Sequence, residues 1–123
     1  MPRPVHFEFS AEDPENLAKF YEDALGWKAQ KWEGPMDYWL FSTGEEGEAG
    51  IDGGLMKRDE QTPTGTVNTV DVPNIDEYME KATTAGGKIV APKMAVPGVG
   101  WMCYIMDPEG NVFGLMESDE KAK

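Results

Sequence analysis

Apolar and polar positions alternate over Val5–Ser10, where Val5, Phe7 and Phe9 point one way and His6, Glu8 and Ser10 the other. A period of two predicts a half-buried strand. The period then changes. Asp13-Pro14 reads as an N-cap with proline in the first helical turn, and Leu17, Phe20, Tyr21, Ala24 and Leu25 follow at the spacing of one helical face. Gly26 stands where a left-handed C-cap glycine closes a helix. Lys28–Trp32, Asp37–Ser42 and Ile51–Lys57 read as strands, with the acidic, glycine-rich Gly44–Gly50 as a turn.

The same order then recurs. Thr66–Val72 reads as a strand, Asn74 as an N-cap with Glu77 at the capping-box spacing, and Ile75, Tyr78, Met79 and Ala82 as a buried helical face. Gly86-Gly87 ends this helix, and Lys88–Pro92, Trp101–Met106 and Asn111–Glu117 complete the set of strands. Adding 60 to Gly26-Trp27-Lys28 reaches Gly86-Gly87-Lys88, and adding 60 to Gly54-Leu55-Met56 reaches Gly114-Leu115-Met116. The helical faces are offset by 58, which predicts a shorter strand-to-helix link and a longer helix in the second half. The chain is therefore expected to be α+β, with two tandem β-α-β-β-β modules. Module one covers 1–58, a linker 59–63, module two 64–118 and a short tail 119–123. Neither half buries its sheet face alone, so one domain over 1–123 is expected.

Composition narrows the partners. The 123 residues are 40% apolar and 11% aromatic, enough for one core. Twenty-three acidic residues against 11 basic ones give a net charge of −12, which disfavours nucleic acid and anionic membranes. No run is apolar enough for a membrane span, and the first residues lack the apolar stretch of a signal peptide. The single cysteine, Cys103, forms no internal disulfide and reads as a buried small apolar residue, so the expected setting is the cytoplasm.

In Val5-His6-Phe7, in the Asp13–Gly26 helix with Lys19-Phe20-Tyr21 and Leu25-Gly26-Trp27, in Ile75-Asp76 with Ala85-Gly86-Gly87-Lys88, and in Asp107-Pro108-Glu109-Gly110-Asn111, the chain resembles the vicinal-oxygen-chelate superfamily. This is the glyoxalase, bleomycin-resistance and extradiol-dioxygenase family. The resemblance implies an eight-stranded, cup-shaped mixed sheet with helices outside and a ligand inside, commonly in a homodimer. It also implies a divalent metal held from the first and fourth strand of each module, acting as a Lewis acid. The matching positions are His6 and Gly54 in module one and, by the repeat, Thr66 and Gly114 in module two. One imidazole, one hydroxyl and two glycines are a poor set for such an ion. No metal and no other cofactor is therefore expected, unless Glu8, Asp52 or Glu117 supplies a donor.

Alternation places Glu8, Asp52, Gly54 and Met56 on the face of His6, and Asn68 and Met116 with Thr66 and Gly114. The strand glycines mark close approach by a ligand, or curvature of the sheet. His6 and Glu8 are the candidate acid–base pair. Tyr38, Trp39 and Phe41 in one half and Trp101 and Tyr104 in the other are candidate walls for a planar ligand, with core packing as the alternative. Met94–Gly100 reads as a mobile lip or as an ordinary hairpin connection. The expected function is binding of a small apolar or aromatic molecule without the family metal. The alternative is a metal-dependent lyase, isomerase or dioxygenase of the same superfamily.

Overall fold

The computed structural model describes residues 2–60, 62–63 and 65–123. At the expected module boundaries, Met1, Gln61 and Thr64 lie outside the described residues. Among the described residues, two helices and an eight-stranded mixed sheet make an α+β fold, each half repeating β-α-β-β-β. The chain divides into two compact units, one over His6–Thr66 and the other over Val67–Lys123 with residues up to Val5.

Module one contains β1 (Arg3–Ala11), α1 (Pro14–Leu25), β2 (Lys28–Lys31), β3 (Tyr38–Ser42) and β4 (Asp52–Lys57). Its strands lie in the order β2-β3-β4-β1, with β1 parallel to β4 and the other pairs antiparallel. The Asp13 carboxylate accepts from the Asn16 N–H at 3.2 Å, and Gly26 ends α1 at φ 73°, as the pattern predicts. One face of the sheet packs on α1. Ala11, Phe41 and Leu55 are buried there against Ala18, with Phe9, Leu17, Tyr21 and Trp27 around them. Tyr21 stacks on Trp27 at 5.0 Å and Phe9 on Phe41 at 5.9 Å. The core of this module is built largely of rings.

Module two contains β5 (Val67–Asp71), α2 (Ile75–Thr84), β6 (Lys88–Val96), β7 (Gly100–Met106) and β8 (Val112–Ser118), in the order β5-β8-β7-β6. Its core of Val72, Ile75, Cys103, Ile105 and Leu115 is mainly aliphatic. Asn74 accepts from the Glu77 N–H at 3.0 Å, and the Glu117 carboxylate accepts from the Ile75 N–H at 2.9 Å, so two free N–H groups of the first turn are satisfied. Asp107 accepts from the N–H groups of Glu109 and Asn111, both at 2.9 Å, and from the Asn111 side chain at 3.0 Å. Those bonds, led by the one from the Asn111 side chain, hold the Asp107 carboxyl below the usual carboxylate range. The Asp-Pro-Glu-Gly-Asn signature is thus a self-bonded turn.

One expectation is corrected here, and a second, left open between two readings, is decided. The helix of module two is the shorter, 10 residues against 12, and its link is the longer, Val72–Asn74 against Glu12–Asp13. The cause is the first turn: Pro14–Asn16 precede the matched face in α1, whereas Asn74 caps Ile75 directly. The second concerns Met94–Gly100. Strand β6 runs past Pro92 to Val96, with Met94, Ala95 and Val96 opposite Met102, Trp101 and Gly100, so this segment is an ordinary hairpin and not a lip. Pro92 is tolerated because β6 ends the strand order and its register slips between Ala91 and Met94.

Candidate functional site

The face of module one away from α1 carries a chain of three polar side chains. His6 Nε2 lies 2.9 Å from Tyr38 Oη, and Tyr38 Oη donates to Glu8 Oε2, also at 2.9 Å. Strand geometry assembles them. His6 and Glu8 are two apart on β1, Glu8 lies opposite Gly54 on β4, and Tyr38 lies opposite Met56, one same-face step from Gly54. The tyrosine then leans across the glycine. A Cβ added at Gly54 would stand 1.7 Å from Tyr38 Oη and 2.2 Å from its Cζ, so the ring tip fills the volume of any side chain there. Glu8 is buried, His6 and Tyr38 are half-buried, and Leu40 is an exposed apolar flank opposite Gly54.

Burial lowers the pKa of His6, a shift that Glu8 and then Asp52 oppose by stabilising the imidazolium. Asp52 is itself engaged: it accepts from the Thr43 N–H at 2.9 Å and from the Thr43 hydroxyl at 3.3 Å. Further along the same face of β1, Ser10 is buried beneath Arg58, whose guanidinium donates to the Ser10 hydroxyl at 3.2 Å and carbonyl at 2.9 Å.

Module two places a different set at the matching positions. Thr69 lies opposite Gly114 as Glu8 lies opposite Gly54, so Val67 is the counterpart of His6. Thr69 is 2% exposed, and among the described residues its hydroxyl is the one sealed side-chain N or O atom without a partner. A Cβ at Gly114 would meet Thr69 Oγ1 at 3.4 Å and Tyr104 Cε1 at 3.5 Å, ordinary contacts. Met116 shares this face, opposite Asp71 and Met102.

Several sequence-predicted positions fall elsewhere. Thr66 precedes β5 and, with Phe7, Phe9, Tyr21 and Trp27, lines a cavity of about 300 Å³ on the helix side of β1, away from His6. Asn68 lies opposite Phe113, which packs on the core of α2, so it shares the helix side and not the face of Gly114. Trp39 and Phe41 pack in the core beneath α1, because Leu55 and Gly53 lie opposite them. Trp101 packs on the core of module two, with its indole N–H on Asp119 at 3.0 Å. Tyr38, expected only as a ring wall or core residue, joins His6 and Glu8 through its hydroxyl. Its signal was parity with Leu40 and against Phe41, beside a strand glycine on the same face. Cys103 is fully buried, and burial pushes its thiol up to about 11, which leaves it an inert core residue.

The donors do not fit the divalent ion of the resembling family. The four positions hold the His6 imidazole, two glycines and, once the register of β5 is known, Val67 instead of Thr66. The three carboxylates that the sequence offered as substitute donors have other tasks: Glu8 receives Tyr38, Asp52 receives Thr43, and Glu117 caps α2. Among the described residues no three His, Cys, Asp or Glu side chains are grouped as ligands.

Comparison with known proteins agrees on the fold. The family model described as a glyoxalase-like domain matches residues 6–116. The chain is similar to methylmalonyl-CoA epimerase from Mycobacterium tuberculosis, at 18% identity over 94% of this chain and 87% of that one, with a TM-score of 0.69. A glyoxalase/bleomycin resistance protein/dioxygenase superfamily member from Vibrio splendidus matches at 16% identity over 96% of this chain and 100% of that one, TM-score 0.67. The Mn(II)-bound glyoxalase from Novosphingobium aromaticivorans matches at 18% identity over 99% of this chain and 41% of that one, TM-score 0.65. No curated protein matches the chain at a significant level.

Proposed function

Since the chain belongs to the glyoxalase-like domain family, we propose that it binds a small apolar or aromatic molecule on the open face of module one, without the metal chemistry of its metal-bound relatives. The observation that carries this reading is the tyrosine tip at Gly54. Where a fourth-strand ligand would project, Tyr38 Oη lies within bonding distance of any added Cβ. A donor cannot enter that position while the ring is there. The space is used instead for a polar chain that ends in an imidazole, flanked by the side chains of Leu40 and Met56. Apolar flanks with one or two oriented polar groups are the ordinary make-up of a small-molecule site. Within it His6 and Glu8 are the residues that would exchange protons with a ligand. The same reading takes the protein as a cytoplasmic homodimer.

Native mass spectrometry of protein purified without chelator tests this directly. The expected spectrum shows a dimer with no stoichiometric divalent ion, and small molecules retained by the wild type but not by His6→Ala. One Mn, Zn, Ni or Fe per chain, lost in His6→Ala, would overturn the proposal in favour of a metal-dependent enzyme.

A further inference from the structure

The polar chain fixes which face of the imidazole a ligand meets. A tyrosine hydroxyl has one proton, and that of Tyr38 goes to Glu8 Oε2. A carboxylate only accepts, so it returns none. The 2.9 Å contact between Tyr38 Oη and His6 Nε2 is then a hydrogen bond only if Nε2 carries the imidazole proton. In a neutral ring that leaves a lone pair on Nδ1. Among the described residues Nδ1 has no hydrogen-bond partner. Nor is it sealed, since Thr69 Oγ1 is the one sealed and unpaired side-chain polar atom among them.

We infer that the site recognises an uncharged hydrogen-bond donor, a hydroxyl or N–H on an apolar or aromatic body, through the lone pair of His6 Nδ1, and that it rejects anions. The inference rests on the binding role proposed above and adds the chemistry of the ligand. Rejection of anions follows from the neighbours. Glu8 and Asp52 are the charges that act on the imidazole, while Arg58 is turned onto Ser10 and Lys28, which its register with Ser42 puts on the same face, stands on the outermost strand of the module. A carboxylate or phosphate oxygen placed at Nδ1 would meet a lone pair with two acidic groups behind it. A phenol or amide would find its one polar need met there, with Leu40 and Met56 beside its apolar part. The neutral ring is also the form that burial favours.

The chain holds one histidine, so ¹⁵N-histidine labelling of the full protein gives a single imidazole pair to read. The expected resting spectrum at slightly alkaline pH shows protonated Nε2 and unprotonated Nδ1. Titrated phenol is expected to move the Nδ1 resonance saturably, with equimolar benzoate leaving it in place. Tyr38→Phe is expected to mix the tautomers and weaken phenol about twofold, in proportion to the rings that lose the free Nδ1 lone pair. The tautomer reading on wild type stands even if that variant folds poorly. A proton on Nδ1 in the resting protein would mean that the chain runs from Glu8 toward His6, and would overturn the inference. Equal responses to phenol and benzoate would also overturn it. If, in protein also labelled at its Leu and Met methyl groups, Leu40 and Met56 respond to phenol but Nδ1 does not, the donor rule fails and the binding role survives. If none of the three responds to phenol or to toluene, the binding role itself fails.

Discussion

At matching places in their fourth strands the two modules carry glycines with opposite surroundings. Gly54 has no room for even a methyl group, because Tyr38 Oη and Cζ occupy it at 1.7 and 2.2 Å. Gly114 has that room, with its nearest neighbours at 3.4 and 3.5 Å. The residue facing each glycine follows suit. Glu8 is paired with the tyrosine that fills the first space, and the Thr69 hydroxyl beside the second has no partner among the described residues. Equivalent backbone has thus been given two uses. In module one the glycine makes way for a side chain that completes a polar chain; in module two it makes way for nothing the described residues supply.

The sharpest way to break this contrast is to put the same methyl group in both places. Gly54→Ala should cost about 1–3 kcal/mol, the usual penalty of overpacking, and should separate His6 from Tyr38. Chemical denaturation measures the cost, and adding Tyr38→Ala should recover part of it as non-additivity. Next in size is Thr69→Val, which removes a sealed, unpaired hydroxyl and should raise stability by about 1 kcal/mol. A fall on denaturation would mean that the hydroxyl has a partner. Gly114→Ala should be neutral or stabilising by about 0.5–1 kcal/mol, since alanine suits a strand interior better than glycine. A loss like that at Gly54 would erase the difference between the modules.

The smallest effect is the pH response, and it belongs to module one, because Val67 replaces the histidine in module two. Burial lowers the His6 pKa below its ordinary value of 6.5, so the unfolded chain takes up the proton first. Stability from the neutral ring is full above 6.5 and falls as the pH drops below it, until the folded ring also protonates. Melting temperatures from pH 8 to 5 should show that decline in wild type and a shallower one in His6→Asn. Glu8→Gln removes the larger of the two charges that raise the pKa, so its NMR titration should lie lower still. A titration at or above the ordinary histidine value would contradict the burial argument.

The element order, both N-caps and the repeat were legible because each rests on local chemistry: alternation, capping side chains, glycine at left-handed positions. The face of β5 was not. In Thr66–Val72 both alternating sets mix polar and apolar residues, so the pattern does not choose between Thr66-Asn68 and Val67-Thr69. The choice is made by Val70 and Val72 packing toward α2, a tertiary contact. The glycine offset of 60 also misled there, since Glu8 and Thr69 are 61 apart by register. Trp39, Phe41 and Trp101 failed for a related reason: an aromatic ring suits a ligand wall and a core equally, and only the opposite strand tells which it serves. His6, Glu8, Asp52 and Gly54 share a face as alternation predicts. Tyr38 reaches them diagonally, a relation that spacing along one strand does not encode.

The seating of Tyr38 over Gly54 also constrains how this protein can change. An acidic residue at position 54 has to displace the Tyr38 ring, so it comes at the expense of the polar chain unless position 38 shrinks as well. A library that randomises position 54 alone should favour glycine, whereas one that randomises 38 and 54 together removes the overlap.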